Sequence, residues 1–509
     1  MAGGASAASA AVGGGRAAGG AGAGAAAAGG AGAGAAAGAA AGVSAAAASP
    51  GVLPSPHPLS LYHVFGRIGE GTYGVVYVAT TLSSASGGSA SSAAGHPPQK
   101  RAELLAGARG ADNGAGGSLC ALPHVADEDG AAEVGHPRTG ASSAGTQRKL
   151  ALKLLKPTKE FDGVSPTAVR EMALLRELNH PHVLRLEAVH VHVEEHVLCM
   201  VFNYAEYDLY ELIRHHRERL AKSPISLHTV KSLLWQVLQG VEYLHSQWVI
   251  HRDLKPSNIL VTSENALGGG GMVKIADFGL ARIFQAPLRP LHDNGVVVTI
   301  WYRAPELLLG ARHYTPALDV WAVGCIFAEL TALRPLFQGD EVRRSGAPFQ
   351  KDQLMRICEL LGAPTEEIWP TLGHLPHWAA NDENVVAAAS EASNSALAEA
   401  RKRRRLNAST PTPGEPPPLL ADAAAMGRGS SAHYLLSKML TFDPSARLTA
   451  QGALNDTYFS LEPIPGRNAL RPPEGTGAAV SYPPRRVHTE DRGMPQSSEP
   501  AQQQQRGNK

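Results

Sequence analysis

Hydrophobic positions follow two different periods in two parts of the chain. Short apolar runs predict strands: Tyr62–Thr81 as two strands around a glycine-rich turn, and Leu150–Leu155 as a third strand that carries one lysine. From Val230 to Leu244, apolar residues recur at steps of three and four, the period of an amphipathic helix. A second apolar segment, Ala317–Leu333, and further helices follow, as far as Tyr458. The pattern predicts a small antiparallel sheet followed by a larger, mostly helical region.

Several stretches have compositions that cannot bury a core. The N-terminal region is almost entirely Ala, Gly and Ser, and residues 83–147 repeat that bias with Pro and scattered charge. Such segments cannot offset the entropy lost on ordering. We therefore predict a disordered tail at 1–57, one domain at 58–460 with disordered inserts at about 83–147 and 385–428, and a disordered tail at 461–509.

The overall charge excludes several classes of partner. Lys and Arg total 46 against 45 Asp and Glu, a formal net charge of +1, so no global field draws the protein to nucleic acid or to anionic lipid.

The four cysteines are too few and too dispersed for a disulfide framework or a zinc site, and no apolar run is long enough to cross a bilayer. The chain is expected to be soluble and intracellular, with no direct contact to nucleic acid or membrane.

The predicted turn between the first two strands is rich in glycine. Gly69, Gly71 and Gly74, followed by Val76, fit the pattern G-x-G-x-x-G-x-V. Glycines let a hairpin backbone fold close over phosphate groups and present its amide N–H groups to them. Alone, the same pattern also fits an ordinary glycine-rich turn.

A single lysine, Lys153, ends the Ala151–Lys153 segment of the third strand and can bind phosphate oxygens as a point charge. A lysine at that place needs an anion to orient it. Glu171 is the well-placed acid, in a helix predicted to begin with Ser165 as N-cap and Pro166 at the first helical position. Taken separately, the lysine and the glutamate would also fit exposed surface positions.

The segment His251–Asn258 follows the amphipathic helix and has the complete pattern H-R-D-L-x-x-x-N. We predict that Asp253 accepts the proton of a substrate hydroxyl and that Lys255 offsets charge on a transferred phosphoryl group. Asn258 is predicted to bind one Mg²⁺ ion. Asp277, which opens the triplet D-F-G, would hold the Mg²⁺ ion that bridges the phosphates.

These motifs occur in one fixed order, and over residues 60–460 without the inserts the chain resembles a eukaryotic protein kinase. Within that family it is similar to the cyclin-dependent group, on the evidence of Ser165–Glu171, Val297–Glu306 and Phe442–Leu448. The resemblance implies an α+β, bilobal fold. A small antiparallel sheet and one main helix would form the N-terminal lobe, and a larger, mostly helical C-terminal lobe would follow. It also implies a serine/threonine kinase that uses ATP and Mg²⁺.

The resemblance further assigns residues to the ATP site and to the framework around it. Phe202 would be the gatekeeper, and Asn203–Ala205 the hinge that faces adenine. Glu306 should pair with Arg447, and Asp319 should brace the catalytic loop. The implied ATP contacts are Gly69, Gly71, Gly74, Val76, Ala151, Lys153, Phe202, Asn203 and Ala205.

A closer resemblance is to the Mediator-associated branch of cyclin-dependent kinases, which partners cyclin C. Its marks here are Asn203–Leu209, Pro287–Leu291 and Leu309–Thr315. Phe278 and the start of the Ser165–Glu171 helix resemble the plant and algal members, of type E. The resemblance implies a cyclin of the C type docked on that helix, the other subunits of the Mediator kinase module as partners, and a nuclear location.

The activation segment lacks the residue that kinases of this group usually phosphorylate. The arginines that gather such a phosphate are present as Arg170, Arg252 and Arg282, but no Ser, Thr or Tyr occurs from 280 to 298. Activation by phosphorylation of this stretch is therefore not expected. Either Asp293, the one acid in the stretch, or a partner protein is predicted to supply the anion.

The substrate preference follows from the residues after that stretch. Val297 and Val298, followed by Trp301–Arg303, resemble the pocket that admits proline after the phosphoacceptor. Proline lacks an N–H, so a pocket without a backbone acceptor penalises other residues and tolerates proline. The predicted substrates are proteins with Ser/Thr-Pro sites.

Two other interpretations stay open from the sequence. The chain could be a catalytically idle scaffold that holds cyclin in a transcription complex, although Lys153, Asp253 and Asp277 are present and such scaffolds usually lose one of them. It could also be an ordinary cell-cycle or mitogen-activated kinase, against which the missing phosphoacceptor speaks. The basic run Arg401–Arg405 fits either a nuclear import signal or a solvated face, and the resemblance favours the import signal.

Overall fold

The computed structural model describes residues between His57 and His488, all within the second of two compact units of the chain, 54–509. The described ranges are 57–71, 74–82, 148–155, 165–192, 197–220, 223–263, 270–284, 299–313, 315–342, 349–379, 382–402, 416–471, 473 and 480–488. The predicted N-terminal tail up to residue 56, the insert 83–147 and residues 489–509 lie outside these ranges. Their predicted disorder stays a prediction.

Five antiparallel strands form the N-terminal sheet, in the order β1-β2-β3-β5-β4. Their bounds are β1 Tyr62–Gly71, β2 Gly74–Thr81, β3 Lys149–Leu155, β4 Leu186–His192 and β5 Val197–Asn203. Lys153 lies on the central strand, opposite Val76 of β2 and Met200 of β5. The three predicted strands are confirmed, and the insert 83–147 joins two adjacent strands, β2 and β3.

The main helix of this lobe is α1 (Pro166–Glu177). It begins after Ser165, whose Oγ accepts a hydrogen bond from the amide of Ala168 at 3.2 Å, as the predicted N-cap should. Leu175 is buried on its inner face. The helix contacts the turn Phe278–Leu280, so one end of the sheet lobe meets the D-F-G triplet.

Helices make up most of the C-terminal lobe. They are α2 Leu209–Arg214, α3 Leu227–Ser246, α4 Pro305–Leu308, α5 Ala317–Ala332, α6 Lys351–Leu361, α7 Pro376–Ala379, α8 Asp382–Lys402, α9 Pro418–Ala423, α10 Ser431–Met439 and α11 Ala450–Leu454. A π-helical turn at His215–Arg219 continues α2. Leu233 and Leu238 of α3 and Trp321 and Phe327 of α5 are completely buried at the centre. The predicted α+β architecture is confirmed. Within the described ranges, no helix has both the length and the apolarity that spanning a membrane requires.

Short strands hold the loops that carry the chemistry. The sheet β6-β8-β9 consists of Tyr207–Asp208, Ile259–Val261 and Val273–Ile275, and a second pair joins β7 Val249–Ile250 to β10 Arg282–Ile283. The predicted catalytic loop therefore runs from β7 to β8, and the D-F-G triplet follows β9. Because both loops are fixed at strand ends, their side chains converge on one place.

The prediction of a disordered insert at 385–428 is wrong for the described residues 385–402 and 416–428, which contain the helices α8 and α9. α8 packs on α6 and buries Val385, Ala389 and Ala400 on one face. Alanine has the highest intrinsic helix propensity, so an alanine-rich composition favours a helix wherever a neighbouring surface can cover it. Residues 403–415, which include most of the basic run, lie outside the described ranges.

The prediction of a disordered tail at 461–509 is wrong for the residues of it that the structure describes, 461–471, 473 and 480–488. Leu470 and Tyr482 are buried in the core of the C-terminal lobe, and Nζ of Lys231 donates to the carbonyl oxygen of Leu461 at 2.6 Å. Proline is unfavourable inside helices and sheets, but it is compatible with an extended segment that packs on the protein through individual side chains. The composition of the tail was therefore a poor guide to its packing.

Candidate active site

A cavity of about 540 Å³ opens between the sheet and the helical lobe. This volume suits a small-molecule ligand, because such sites occupy roughly 300–1,000 Å³. The predicted site residues that line it are Gly69, Gly74, Val76, Ala151, Lys153, Glu171, Phe202, Asn203, Ala205, Asp253, Lys255, Asn258 and Asp277. Gly71 lies opposite Gly74 at the tip of the β1–β2 hairpin and is not among the described lining residues.

The glycines of the hairpin serve two different purposes. A Cβ on Gly74 would collide with the carbonyl oxygen of Leu154, so a side chain there is excluded by the neighbouring strand β3. A Cβ on Gly69 would meet nothing within 4 Å. Gly69 therefore leaves open space beside the cavity, whereas Gly74 is required by the close packing of the sheet.

Lys153 is held by two carboxylates inside the cavity. Its Nζ lies 2.7 and 2.9 Å from the two carboxylate oxygens of Glu171 and 3.5 Å from Oδ1 of Asp277. Burial alone would lower the pKa of Lys153, but the charges of Glu171 and Asp277 outweigh it and raise that pKa. The lysine is therefore a fixed positive charge. The predicted pair of Lys153 on β3 with Glu171 on α1 is therefore formed in this structure.

Asp253 sits at the base of the cavity in a network of its own loop. Its Oδ2 accepts from Nζ of Lys255 at 2.8 Å and from Nδ2 of Asn258 at 3.0 Å, and Nδ2 of Asn258 also donates to its backbone oxygen at 2.8 Å. Burial raises the pKa of Asp253, and the positive charge of Lys255 opposes that rise. A carboxylate held in this way can accept a proton from a hydroxyl group placed beside it.

Asp319 braces the catalytic loop from below, as predicted. Its Oδ2 accepts from the amide of His251 at 2.8 Å, and its Oδ1 accepts from the amide of Arg252 at 2.9 Å. Arg252 has a left-handed backbone with φ of 69°, a conformation that is strained for a residue with a side chain. The completely buried Asp319 therefore holds a strained loop in place through two backbone hydrogen bonds.

Residues 134–459 match the family model described as the protein kinase domain. The chain belongs to the protein kinase family. Cyclin-dependent kinase E-1 of Arabidopsis thaliana is 44% identical to the kinase over 434 residues, which are 85% of this chain and 73% of that protein. Probable cyclin-dependent kinase 8 of Dictyostelium discoideum is 46% identical over 338 residues, 66% of this chain and 79% of the relative. Serine/threonine-protein kinase SSN3 of Yarrowia lipolytica is 42% identical over 357 residues, 68% of this chain and 78% of the relative.

These relatives identify the kinase more closely. It is a serine/threonine protein kinase of the cyclin-dependent group, and the predicted branch, with plant type E among its members, is confirmed. Membership of the protein kinase family also carries the general use of ATP and Mg²⁺. The fold described above is accordingly the bilobal kinase fold.

A buried ion pair locks the end of the kinase activation segment to the C-terminal lobe. Arg447 meets Glu306 through two parallel bonds, Nη1 to Oε1 at 2.7 Å and Nη2 to Oε2 at 2.8 Å. Their side chains are 0% and 5% exposed. The remaining guanidinium hydrogens reach backbone oxygens of Thr441, Ala317 and Phe442. The predicted pair is confirmed, and every polar partner it needs is supplied.

The arginines that the sequence assigns to an activating anion lie on three elements of the kinase. They are Arg170 on α1, Arg252 in the catalytic loop and Arg282 on β10. Nη1 of Arg170 is buried and has no hydrogen-bond partner among the described residues. Asp293 lies outside the described ranges, so its predicted role stays a prediction.

Sequence reasoning missed two charged residues in the wall of the kinase cavity, Asp208 and Arg485. Asp208 follows the hinge Asn203–Ala205 by three positions, and this position at the end of the hinge was the available signal. Arg485 lies in the proline-rich tail, where no motif marked it. Nη2 of Arg485 lies 2.6 Å from Oδ2 of Asp208, so the two residues form an ion pair.

Proposed function

We propose that Asp253 is the catalytic base of this serine/threonine kinase and that Lys255 stabilises charge on the transferred phosphoryl group. The observation that carries the proposal is the position of Asp253: buried, in the cavity wall, and fixed by Lys255 and Asn258. The hydroxyl of a substrate serine or threonine placed beside the Asp253 carboxylate would lose its proton to that carboxylate as the phosphoryl group arrives. Nζ of Lys255 is 2.8 Å from Oδ2 of Asp253 and lines the same cavity, so it would be available to a phosphoryl group bound there.

Lys153 and Glu171 are proposed to hold the nucleotide phosphates. Lys153 keeps its charge inside the cavity because two carboxylates surround its ammonium group. When ATP binds, its α- and β-phosphates would take over part of the negative charge that balances Lys153. Glu171 would keep the lysine directed at these phosphates. Gly69 leaves room above for a phosphate group.

Asp277 and Asn258 fit the role of Mg²⁺ ligands. Both supply oxygen to the same cavity, and oxygen is what Mg²⁺ prefers. Burial alone would raise the pKa of Asp277, but the nearby charges of Lys153, His251 and Lys255 together outweigh burial and keep that pKa below its usual value, so the carboxylate stays ionised. Nδ2 of Asn258 donates to Asp253, which leaves the amide oxygen for a cation. When bound, Mg²⁺ neutralises charge on the phosphates.

The other end of the cavity is proposed to take adenine. Ala151 and Val76 line it from the sheet, and the hinge Asn203–Ala205 lines its edge. Phe202, which is buried at the start of the hinge, would limit the depth of the pocket as a gatekeeper. The apolar side chains of Val76 and Ala151 would cover the face of a flat heterocycle such as adenine, and the backbone of the hinge would lie along its edge.

We also propose that the kinase acts in the nucleus, with a cyclin of the C type on α1 and with the Mediator kinase module. α1 turns Glu171 into the cavity while Val169 on its other side is 47% exposed, so the helix has an outer face for a partner. A cyclin bound to this outer face could therefore influence the position of Glu171, which orients Lys153. Arg401–Arg405, which starts at the end of α8, is the proposed nuclear import signal.

Co-purification tests the proposed partners. Tagged kinase recovered from its own cells should carry cyclin C and Mediator subunits, and Val169→Glu should lose the cyclin because it places a charge on the outer face of α1. Val191→Glu is the matched control, since Val191 is 55% exposed on β4. Recovery of mitotic cyclins in place of cyclin C would overturn the proposal, and so would full cyclin binding by Val169→Glu.

The activating anion is proposed to come from Asp293 or from a partner protein. Nη1 of Arg170 is buried and has no hydrogen-bond partner among the described residues. Because buried polar atoms normally have a partner, this nitrogen supports an anion-binding site beside Arg170. Because the stretch from 280 to 298 contains no Ser, Thr or Tyr, a phosphate on that stretch is not an alternative.

Substrates are proposed to carry proline directly after the phosphoacceptor. Trp301 and Tyr302, which follow Val297 and Val298 in sequence, are fixed by hydrogen bonds from Nε1 of Trp301 to the oxygen of Gly339 at 3.0 Å and from the hydroxyl of Tyr302 to Glu329 at 2.6 Å. Val297 and Val298 lie outside the described ranges. A peptide array is expected to show proline preferred at that position by about tenfold or more. Equal phosphorylation of peptides with alanine there would contradict the proposal.

A further inference from the structure

The C-terminal segment Val480–His488 touches both lobes of the kinase. At one end it bonds to β1: the amide of Arg67 donates to the oxygen of His488 at 3.1 Å, and the amide of His488 donates back at 2.8 Å. At the other end the buried Tyr482 pairs its hydroxyl with Nε2 of His216, after α2, at 2.9 Å. One short segment therefore links the sheet lobe to the helical lobe.

The sheet lobe is adapted to this close approach. A Cβ on Gly66 would lie 2.7 Å from the oxygen of His488 and 2.7 Å from Cγ1 of Val487. Real side chains do not tolerate such distances, so the segment can lie against β1 only because residue 66 is glycine. This contact can therefore be disturbed by a substitution in β1, without changing any residue of the segment.

The middle of the segment reaches the wall of the cavity. The amide of Arg485 donates to the oxygen of Glu206 at 3.2 Å, and its Nη2 lies 2.6 Å from Oδ2 of Asp208. The other oxygen of Asp208 accepts from the amide of Glu211 at 2.8 Å and caps α2. The side chains of Arg485 and Asp208 are 20% and 12% exposed, so the pair is largely shielded from water.

We propose that Val480–His488 is a strap that fastens the two lobes beside the hinge, and that Arg485 is a positioning residue for the nucleotide. The inference rests on the nucleotide site proposed above. Nucleotides enter and leave kinases as the lobes part, and a link between the lobes restrains that motion. Arg485 holds Asp208, and with it the start of α2, in a fixed place on the cavity wall.

Nucleotide release from the full-length kinase tests the strap. Dissociation of a fluorescent ADP analogue with Mg²⁺ should be about five- to tenfold faster for Arg485→Ala and for Gly66→Ala, with KM for ATP raised by a similar factor and kcat not lowered. Arg485→Lys, which keeps a positive charge beside Asp208, should restore part of the affinity. Arg486→Ala is the matched control, because its side chain is exposed one position away.

A double variant distinguishes one strap from two independent contacts. If Arg485 and Gly66 act through the same strap, Arg485→Ala/Gly66→Ala should release ADP little faster than either single variant. Unchanged ADP release in both single variants would overturn the proposal, as would equal effects of Arg485→Ala and Arg486→Ala. Release is measured without a protein substrate, so a kinase that bound nucleotide but transferred no phosphoryl group would still give a clear answer about the strap.

Discussion

Asp253→Asn is expected to lower kcat by about 10²–10⁴-fold while the affinity for Mg²⁺-ATP stays within about twofold of the wild type. The amide has nearly the shape of the carboxylate and keeps an oxygen for Lys255 and Asn258, so the loop should hold its form. What is lost is the ability to accept a proton. Single-turnover phosphorylation of a peptide, together with nucleotide titration, measures both quantities.

Asp340→Asn is the matched control for that experiment. Asp340 is an exposed residue of the same lobe that does not line the cavity, so its kcat should equal that of the wild type. If Asp253→Asn retained wild-type kcat, Asp253 would not be the base and the proposed mechanism would be wrong. If it lost nucleotide affinity as well, its main role would be to shape the cavity.

The second large effect is expected on stability, at the buried pair of Arg447 and Glu306. Arg447→Met should cost about 3–5 kcal/mol of unfolding free energy, because it leaves the Glu306 carboxylate buried without its partner. A domain of this kind is stable by only roughly 5–15 kcal/mol in total. Much of the variant should therefore be unfolded at growth temperature. Urea denaturation followed by circular dichroism measures the change.

Arg428→Met offers a control with the same substitution at another arginine that meets a carboxylate through two hydrogen bonds. Arg428 also meets a carboxylate, Asp422, through two nitrogens, but the two side chains are 36% and 32% exposed. Solvent can replace that pair, so its loss should cost at most about 1 kcal/mol. Equal costs for the two variants would contradict the claim that burial makes the Arg447 pair indispensable.

The chemistry of the site was predictable because its residues are fixed by the reaction. A phosphoryl-transfer site needs a cation, a base and metal ligands at defined places in the sequence, and Lys153, Asp253 and Asp277 stand out for that reason. The fold then brings them together, with Lys153 on the predicted third strand. Asp253 and Asp277 follow the short strands β7 and β9, which the sequence did not predict. The role of Gly74 was less visible, because the backbone of β3 that excludes a side chain there comes after a long insert.

The strap and α8 could not be found in the same way. Arg485 meets Asp208 across 277 positions of sequence, and nothing in a proline-rich tail indicates which side chain will find a partner. α8 is rich in alanine, and whether such a segment folds depends on a surface that covers it, which α6 supplies. Composition alone describes neither kind of contact, because both depend on tertiary partners rather than on local preference.

The most direct test of the proposed function is phosphoryl transfer by the full chain in complex with its cyclin. γ-Labelled ATP, Mg²⁺ and a protein substrate with Ser/Thr-Pro sites would be supplied, and the labelled residues would be mapped. Label is expected on serine or threonine followed by proline, at a rate at least about 100-fold above that of Asp253→Asn. Wild-type incorporation no greater than that of Asp253→Asn would contradict the proposed function and would favour a scaffold that binds nucleotide without using it.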